Sequence, residues 1–183
     1  MSDLNTRKVA FAGAVAALYS ALTMMLSFIG FGPIQFRIAE ALCILPFFFP
    51  ISVWGLFVGC IIANIISPYP LDIAVGPIAS LIAAICTMQI GKLWLNRHSI
   101  QLMFFACMPP VVVNSVFIGA LLAYEMTVTG TGETGAFMTA FIINGLQVGF
   151  GQLIVMYAIG LPLMIYLPKS RIYAKLSEYY YRQ

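Results

Sequence analysis

Long apolar runs separated by short polar connections are the main pattern in this chain. A bilayer core about 30 Å thick needs about 20 helical residues to cross it. Four runs reach that length, and they cover residues 9–29, 71–90, 102–124 and 137–167. The pattern therefore predicts an all-α integral membrane protein.

A fifth apolar stretch, residues 39–66, is too long for one straight crossing and contains Pro46 and Pro50. Proline removes a backbone hydrogen-bond donor and breaks or kinks a helix. The stretch is therefore either one kinked span or two short helices, residues 39–49 and 51–66, that turn near Pro50.

The positions of Lys and Arg favour two short helices, because cytoplasmic connections are enriched in these residues. With six crossings, both chain ends and eight of the nine basic residues fall on one side. Those eight are Arg7, Lys8, Lys92, Arg97, Lys169, Arg171, Lys175 and Arg182. We predict a six-transmembrane-helix bundle with cytoplasmic N- and C-termini, in which the second helix is short and embedded among its neighbours.

Composition supports a membrane location and a single domain, residues 1–183. The chain is 62% hydrophobic and 8% charged, whereas soluble proteins average about 25% charged residues. The net charge of +3 is spread over connections and chain ends, so no nucleic-acid partner is expected. The first apolar run is too long for a signal peptide and is expected to remain as a helix.

Polar residues inside the spans cluster towards the outer side, where they predict a pocket. Such residues are costly in a membrane and usually face the protein interior. The set comprises Arg37, Glu40, Asn64, Asp72, Asn114, Asn144 and Gln147. Arg37 is the one basic residue that lies away from the cytoplasmic side. Asn144 and Gln147 share one helix face because they are three residues apart. A pocket of this kind suits a small flat ligand with many donors and acceptors, and Phe31, Phe36 and Tyr69 are candidates to stack on its ring.

Each of these residues also has a structural interpretation. Asn64, Asn114 and the deeper Gln152 are candidates to hydrogen-bond between helices. Arg37 and Glu40 are spaced to form an ion pair at a helix start, and Asp72 is placed to cap a helix or to lie in its first turn. The four cysteines lie in apolar segments and are expected to pack as free thiols. The polar loop from residue 125 to 135 is a candidate lid.

Small residues dominate the first helix and predict close contact with other helices. They run around more than one face, so both an internal partner and a second protein are possible. The residues expected to dock on a partner are Ala10, Gly13, Ala14, Ala17 and Ala21. The pairs Gly55/Gly59 and Gly145/Gly149 are further close-packing sites. A Walker A motif, an HExxH motif and a Ser/His/Asp set are absent from the sequence, so no enzymatic activity, cofactor or metal is expected.

Three sequence stretches resemble the QueT family of queuosine-precursor transporters. They are residues 32–50 (with Gln-Phe-Arg-Ile-Ala-Glu-Ala-Leu), residues 55–67 (with Gly-Leu-Phe-Val-Gly-Cys-Ile-Ile-Ala-Asn) and residues 71–80. The resemblance covers nearly the whole chain, and its motifs point to Gln35, Arg37, Glu40, Asn64 and Asp72 as site residues.

The resemblance implies a substrate-binding S component of an energy-coupling factor (ECF) importer in the bacterial plasma membrane. Such a subunit would capture a 7-deazaguanine, such as queuine, preQ1 or preQ0, and would dock on one membrane scaffold protein and two ATPases. Glu40 would accept from N1–H and the 2-amino group, and Asn144, Gln147 or Arg37 would donate to the 6-oxo group. The alternatives are an S component for another micronutrient, such as thiamin or biotin, and a small membrane assembly protein that carries no solute.

Overall fold

The computed structural model describes residues 2–30, 36–97, 99–129 and 137–181, and all regular elements in these ranges are helical. The α-helices are α1 (Ser2–Met25), α2 (Ser27–Gly30), α3 (Leu45–Phe48), α4 (Ser52–Asn64), α5 (Asp72–Arg97), α6 (Ile100–Ala106), α7 (Met108–Val128), α8 (Phe137–Ile154), α9 (Leu161–Tyr166) and α10 (Arg171–Tyr181). Two 3-10 helices (Ile38–Ile44 and Leu167–Lys169) and a π-helix (Val155–Gly160) complete the set.

Four helical stretches are long and apolar enough to cross a membrane, which confirms the prediction of four long spans. They are Thr6–Met25, Asp72–Leu95, Ile100–Val128 and Phe137–Lys169. Two further apolar helices are shorter, Ile38–Phe48 and Ser52–Asn64. The count of six crossings and the side on which the termini lie therefore stay predictions.

The short second helix predicted over residues 39–49 is of mixed type in the structure. Residues Ile38–Ile44 form a 3-10 helix, and only Leu45–Phe48 are α-helical. At about 2.0 Å per residue in the first part and about 1.5 Å in the second, the two elements together span about 20 Å. They lie inside the bundle, because Ala39, Cys43 and Phe49 have no exposed surface.

The helix predicted over residues 102–124 is longer than expected and is broken at Cys107, between α6 and α7. The cause is Pro109 and Pro110, which have no backbone N–H to donate to the preceding turn. The carbonyl of Ala106, which Pro110 leaves without its helical donor, accepts a hydrogen bond from Thr87 Oγ1 at 3.1 Å. A residue of the neighbouring helix α5 thus supplies the hydrogen-bond donor that the helix break removes.

The fourth predicted helix, residues 71–90, is longer than expected. Helix α5 runs to Arg97 and includes Pro77. Lys92 and Arg97 therefore belong to the last turns of a helix, where a loop was expected. The last predicted helix, residues 137–167, changes from α to π geometry at Val155 and returns to α geometry at Leu161, next to Pro162.

Helices α1 and α4 are in close contact through the glycines of α4. A Cβ atom on Gly55 would lie 2.5 Å from the carbonyl oxygen of Ala12, and one on Gly59 would lie 2.8 Å from that of Ala16. Only glycine permits this approach of two backbones. The prediction of close packing at Gly55 and Gly59 is confirmed, and the contact fixes the face of α1 that carries Tyr19.

Candidate functional site

The first 3-10 helix arranges the residues of the candidate site. A 3-10 helix has three residues per turn, so side chains at i, i+3 and i+6 lie along one edge. Arg37 precedes the helix in extended backbone conformation (φ −89°, ψ 90°), and Glu40 and Cys43 follow it at this spacing. The predicted pair Arg37 and Glu40 therefore lies on one inward edge, and both side chains are buried.

Arg37 forms a buried salt bridge with Asp72 at the start of α5. Arg37 Nη2 lies 2.7 Å from Asp72 Oδ2, and the two side chains are only 6% and 1% exposed. Arg37 Nη1 also donates to Asn64 Oδ1 at 3.4 Å, while Asn64 Nδ2 donates to the backbone oxygen of Asp72 at 2.8 Å. Ser67 Oγ donates to Asp72 Oδ2 at 3.0 Å. These contacts form a first cluster that ties the chain after α4 to α5.

A glycine makes room for this first cluster. Gly76 lies one turn after Asp72 on α5, and a Cβ atom there would overlap the amide nitrogen of Asn64. The same Cβ atom would lie 2.8 Å from Asp72 Oδ1. The buried carboxylate and amide therefore depend on the absence of a side chain at this position.

Glu40 forms a second cluster with donors from several elements. Tyr19 Oη, on α1, donates to Glu40 Oε1 at 2.5 Å. Oε2 accepts from Cys43 Sγ at 3.1 Å, from Asn114 Nδ2 of α7 at 3.3 Å and from Gln152 Nε2 of α8 at 3.3 Å. Glu40 is 1% exposed. The four groups that donate to Glu40 in the described part of the chain are all neutral, and none of them is a cation.

The two clusters contain five of the residues that sequence reasoning proposed. These are Arg37, Glu40, Asn64, Asp72 and Asn114. The salt bridge joins Arg37 to Asp72, whereas the sequence spacing had offered Glu40 as its partner. Asp72 does lie in the first turn of α5, as its alternative interpretation had it. Gln35 and Phe31 lie outside the described residues.

Asn144 and Gln147 are not among the donors to Glu40. Both side chains are half-buried, and Asn144 Nδ2 lies 3.4 Å from Met126 Sδ. At 100° per residue, Asn144 lies about 80° and Gln147 about 140° around α8 from Gln152. The face that they share is therefore a different one from the face that carries Gln152.

Three members of the Glu40 cluster were not proposed as site residues from the sequence: Tyr19, Cys43 and Gln152. Gln152 was a candidate to hydrogen-bond between helices, and it does so. A signal exists for two of these three residues. Tyr19 continues the spacing of four from Phe11 and Val15, which marks the buried face of α1. Gln152 follows Gly149 by three residues and so continues the close-packed stripe of α8. The only sequence signal for Cys43 is its spacing of three residues from Glu40.

A separate cleft of about 470 Å³ lies between α5, α7 and the start of α8, and its lining is almost entirely apolar. Its lining includes Leu71, which precedes α5, Val75 of α5, Phe117 and Tyr124 of α7, and Phe137 of α8. Because it offers few polar groups, it cannot by itself select a ligand rich in donors and acceptors. The two polar clusters are therefore the better candidate site.

A metal site finds little support in the described residues, where no three His, Cys, Asp or Glu side chains come together to hold an ion. The cysteines described there are free, and Cys43, Cys60 and Cys107 are buried.

The small residues of α1 divide into two sets. Ala16 is buried and faces the glycines of α4. The other set is exposed, and it consists of the five residues expected to dock on a partner: Ala10, Gly13, Ala14, Ala17 and Ala21. A Cβ atom on Gly13 would meet nothing within 4 Å. This small-residue face of α1 is therefore open in the isolated chain.

The comparison with protein families assigns the chain. The QueT transporter family matches residues 9–169, most of its length. The chain belongs to the QueT family. As a QueT-family protein with four long apolar helices, it is a multi-pass protein of the cell membrane, and its family is one of transporters of small molecules.

One curated relative is the queuosine precursor transporter QueT of Lactococcus lactis subsp. cremoris (strain MG1363). It is 38% identical to this chain over 99 residues. The match covers 53% of this chain and 56% of the relative, so the chain spans about half the length of the relative it matches. No solved structure matches the chain.

Proposed function

We propose that this chain captures a queuosine precursor, a 7-deazaguanine such as queuine, preQ1 or preQ0, for an ATP-driven ECF importer. The observation that carries the proposal is the Glu40 carboxylate, which is buried among four neutral donors in a chain of the QueT family. A deazaguanine presents N1–H and a 2-amino group side by side, and a carboxylate accepts from both.

Ligand binding would exchange hydrogen bonds at Glu40. Asn114 and Gln152 donate to Oε2 in the structure described. If the ligand edge takes their place, both amides are freed to donate to a ring acceptor such as the 6-oxo group. These two residues are better placed for that role than Asn144 or Gln147, because they already lie within hydrogen-bond distance of the carboxylate.

The first cluster would supply the fixed wall of the site. Its salt bridge between Arg37 and Asp72 is buried and is supported by Asn64 and Ser67. An arginine that is already paired is a weak anchor for a carboxylated ligand, which would have to compete with Asp72. The pairing therefore favours a neutral or cationic ligand over carboxylated biotin.

Six crossings with both termini in the cytoplasm fit the same proposal. The two ends of the chain meet, since Arg7 lies over the ring of Tyr179 and Lys8 over that of Tyr180. Membrane-impermeant labelling of single cysteines placed at Ser67 and at Lys175 tests the orientation. Labelling from outside should reach position 67 only, and the reverse result would overturn the topology.

Docking on a separate energising module is the second half of the proposal. The small-residue face of α1 would contact the ECF scaffold protein, which binds the two ATPases. Close helix approach in a membrane requires such residues, and a Cβ atom added at Gly13 would meet no atom of the described residues within 4 Å. ATP hydrolysis would then belong to the partner proteins.

One observation favours a second function, that of an assembly protein without a solute. Glu40 already has four donors from α1, its own helix, α7 and α8. The cluster therefore also forms hydrogen bonds that hold these helices together. In such a protein the cluster would contribute to stability and would bind no ligand.

Equilibrium binding to the purified chain in nanodiscs separates the two functions. The ligands to be compared are queuine, preQ1, preQ0 and guanine, with thiamin and biotin as controls. Saturable binding of a deazaguanine without binding of the vitamins supports capture of a queuosine precursor. Binding of a vitamin assigns another micronutrient, and binding of none leaves the assembly function.

A further inference from the structure

The C-terminal helix α10 packs against the beginning of α1. Tyr180 is 5% exposed, and its ring meets those of Phe11 and Phe49 at centroid distances of 5.8 and 5.4 Å. Its hydroxyl oxygen accepts from the backbone N–H of Ile51 at 3.4 Å. Burial raises the pKa of Tyr180, which keeps its phenol neutral.

Two cation–π contacts hold the polar part of this junction. The Arg7 guanidinium lies 5.6 Å from the ring centroid of Tyr179, and the Lys8 ammonium lies 5.4 Å from that of Tyr180. Such contacts are weakly attractive at exposed sites. They fix the direction in which the basic side chains point.

A cavity of about 230 Å³ lies at this junction, lined by Arg7, Lys175, Glu178 and Tyr179. It brings together residues that are far apart in the sequence, and two of the four are cations. Phosphate oxygens are matched by the planar guanidinium of arginine and by the point charge of lysine. The chemistry of the cavity therefore suits a phosphodiester.

The cavity also lies at the level where lipid headgroups are found. It sits beside the first residues of one membrane-spanning stretch, Thr6–Met25, and beside α10, which follows the end of another at Lys169. Ile172 is 66% exposed and Tyr166 68% exposed at the same end. Apolar and aromatic side chains that are exposed there contact acyl chains and the interface.

We propose that this cavity binds the headgroup of an anionic phospholipid such as phosphatidylglycerol. Arg7 and Lys175 contact the phosphate, and the ring of Tyr179 forms the wall. The site would hold α10 against α1 and against the membrane. It requires only that the chain lies in a bilayer, so it stands apart from the proposed transport function.

The test measures lipid binding to the purified full chain in detergent, by native mass spectrometry and by the thermal unfolding midpoint. The probes are phosphatidylglycerol, phosphatidylcholine and inorganic phosphate. Phosphatidylglycerol is expected to be retained and to raise the midpoint, while the other two are not. Equal effects of the two lipids, or an effect of inorganic phosphate alone, would overturn the assignment.

Variants make the test specific to the cavity. Each basic residue near a membrane surface is worth about fivefold in affinity for anionic lipid, so Arg7→Gln with Lys175→Gln should weaken phosphatidylglycerol binding by about 30-fold. Lys92→Gln is the control, because this exposed lysine lies outside the cavity. Glu178→Gln should bind more tightly, because it removes a like charge. Unchanged binding in the double variant, or weaker binding in Glu178→Gln, would refute the site.

Discussion

Replacing Glu40 by glutamine removes one charge from the second cluster and changes almost nothing in shape. Glutamine offers one acceptor oxygen and one amide nitrogen. With its oxygen at the place of Oε2, it still accepts from Cys43, Asn114 and Gln152. Its nitrogen then faces Tyr19, whose hydroxyl can reverse its role and accept. All four contacts of Glu40 can therefore survive in the variant without a ligand.

The magnitudes separate stability from binding. Hydrogen bonds to a charged group are worth about 1.5–3 kcal/mol and neutral ones about 0.5–1.5 kcal/mol, so four contacts lose about 4–6 kcal/mol together. Relief of the desolvation of a buried carboxylate, several kcal/mol, offsets that loss. The net change in the free energy of unfolding should stay within about 2 kcal/mol.

The substitution should lower the free energy of deazaguanine binding by more than it changes the free energy of unfolding. Its N1–H and 2-amino group need two acceptors, and glutamine sets an N–H donor against one of them. An unsatisfied buried donor costs about 1–3 kcal/mol, and here two donors oppose each other, so we expect about 2–4 kcal/mol. That loss corresponds to an affinity roughly 30- to 1000-fold lower.

The assay is equilibrium binding of preQ1 and queuine to the wild type and to Glu40→Gln in nanodiscs, with thermal unfolding of the same samples. Asn144→Ala is the matched control, because Asn144 is polar and half-buried but contacts Met126 instead of Glu40. It should bind normally. If Glu40→Gln is folded and binds within threefold of the wild type, Glu40 is not a ligand contact.

Other substitutions test the remaining contacts. Asp72→Asn leaves the Arg37 charge buried without its ion partner and should lower the free energy of unfolding by about 3–5 kcal/mol. Adding Arg37→Gln should restore part of that loss. An unaltered unfolding curve of the single variant would contradict the reasoning. Gly59→Ala should cost about 1–3 kcal/mol, since its Cβ would lie 2.8 Å from a carbonyl oxygen of α1, whereas Gly13→Ala should not destabilise; equal midpoints for both would refute the packing argument. Ala14→Trp should keep ligand binding but abolish uptake by the complete importer, and normal uptake would exclude this face as the docking surface.

The four long spans could be predicted from the sequence because bilayer thickness alone sets their length. The type of the second helix could not. In an α-helix, residues three apart drift by about 60° around the axis, whereas in a 3-10 helix they align. Alignment lets Arg37 reach Asp72 while Glu40 and Cys43 stay in the second cluster. The choice therefore depends on partners from α1, α5, α7 and α8, which sequence periodicity does not reveal.

The helix that carries a polar residue could be predicted, but the rotation of that helix could not. Asn144 and Gln147 were correctly placed on one face of a helix, yet the rotation of α8 is set by Gly145 and Gly149. A Cβ on Gly145 would lie 3.0 Å from the carbonyl oxygen of Ser115 on α7, and one on Gly149 would lie 2.8 Å from Ser115 Oγ. The glycine stripe brings Gln152 to Glu40 and leaves Asn144 beside Met126.

Helix α1 connects the two halves of the proposed function. One face carries exposed small residues such as Ala14 and Ala17, while the opposite side buries Tyr19, which donates to Glu40. Contact with Gly55 and Gly59 of α4 leaves α1 little room to slide, because two backbones already touch there. A displacement of α1 on docking would therefore carry α4 with it and would shift the Tyr19 hydroxyl relative to Glu40. Under the proposed function, the partner protein and the ligand would act on the same carboxylate.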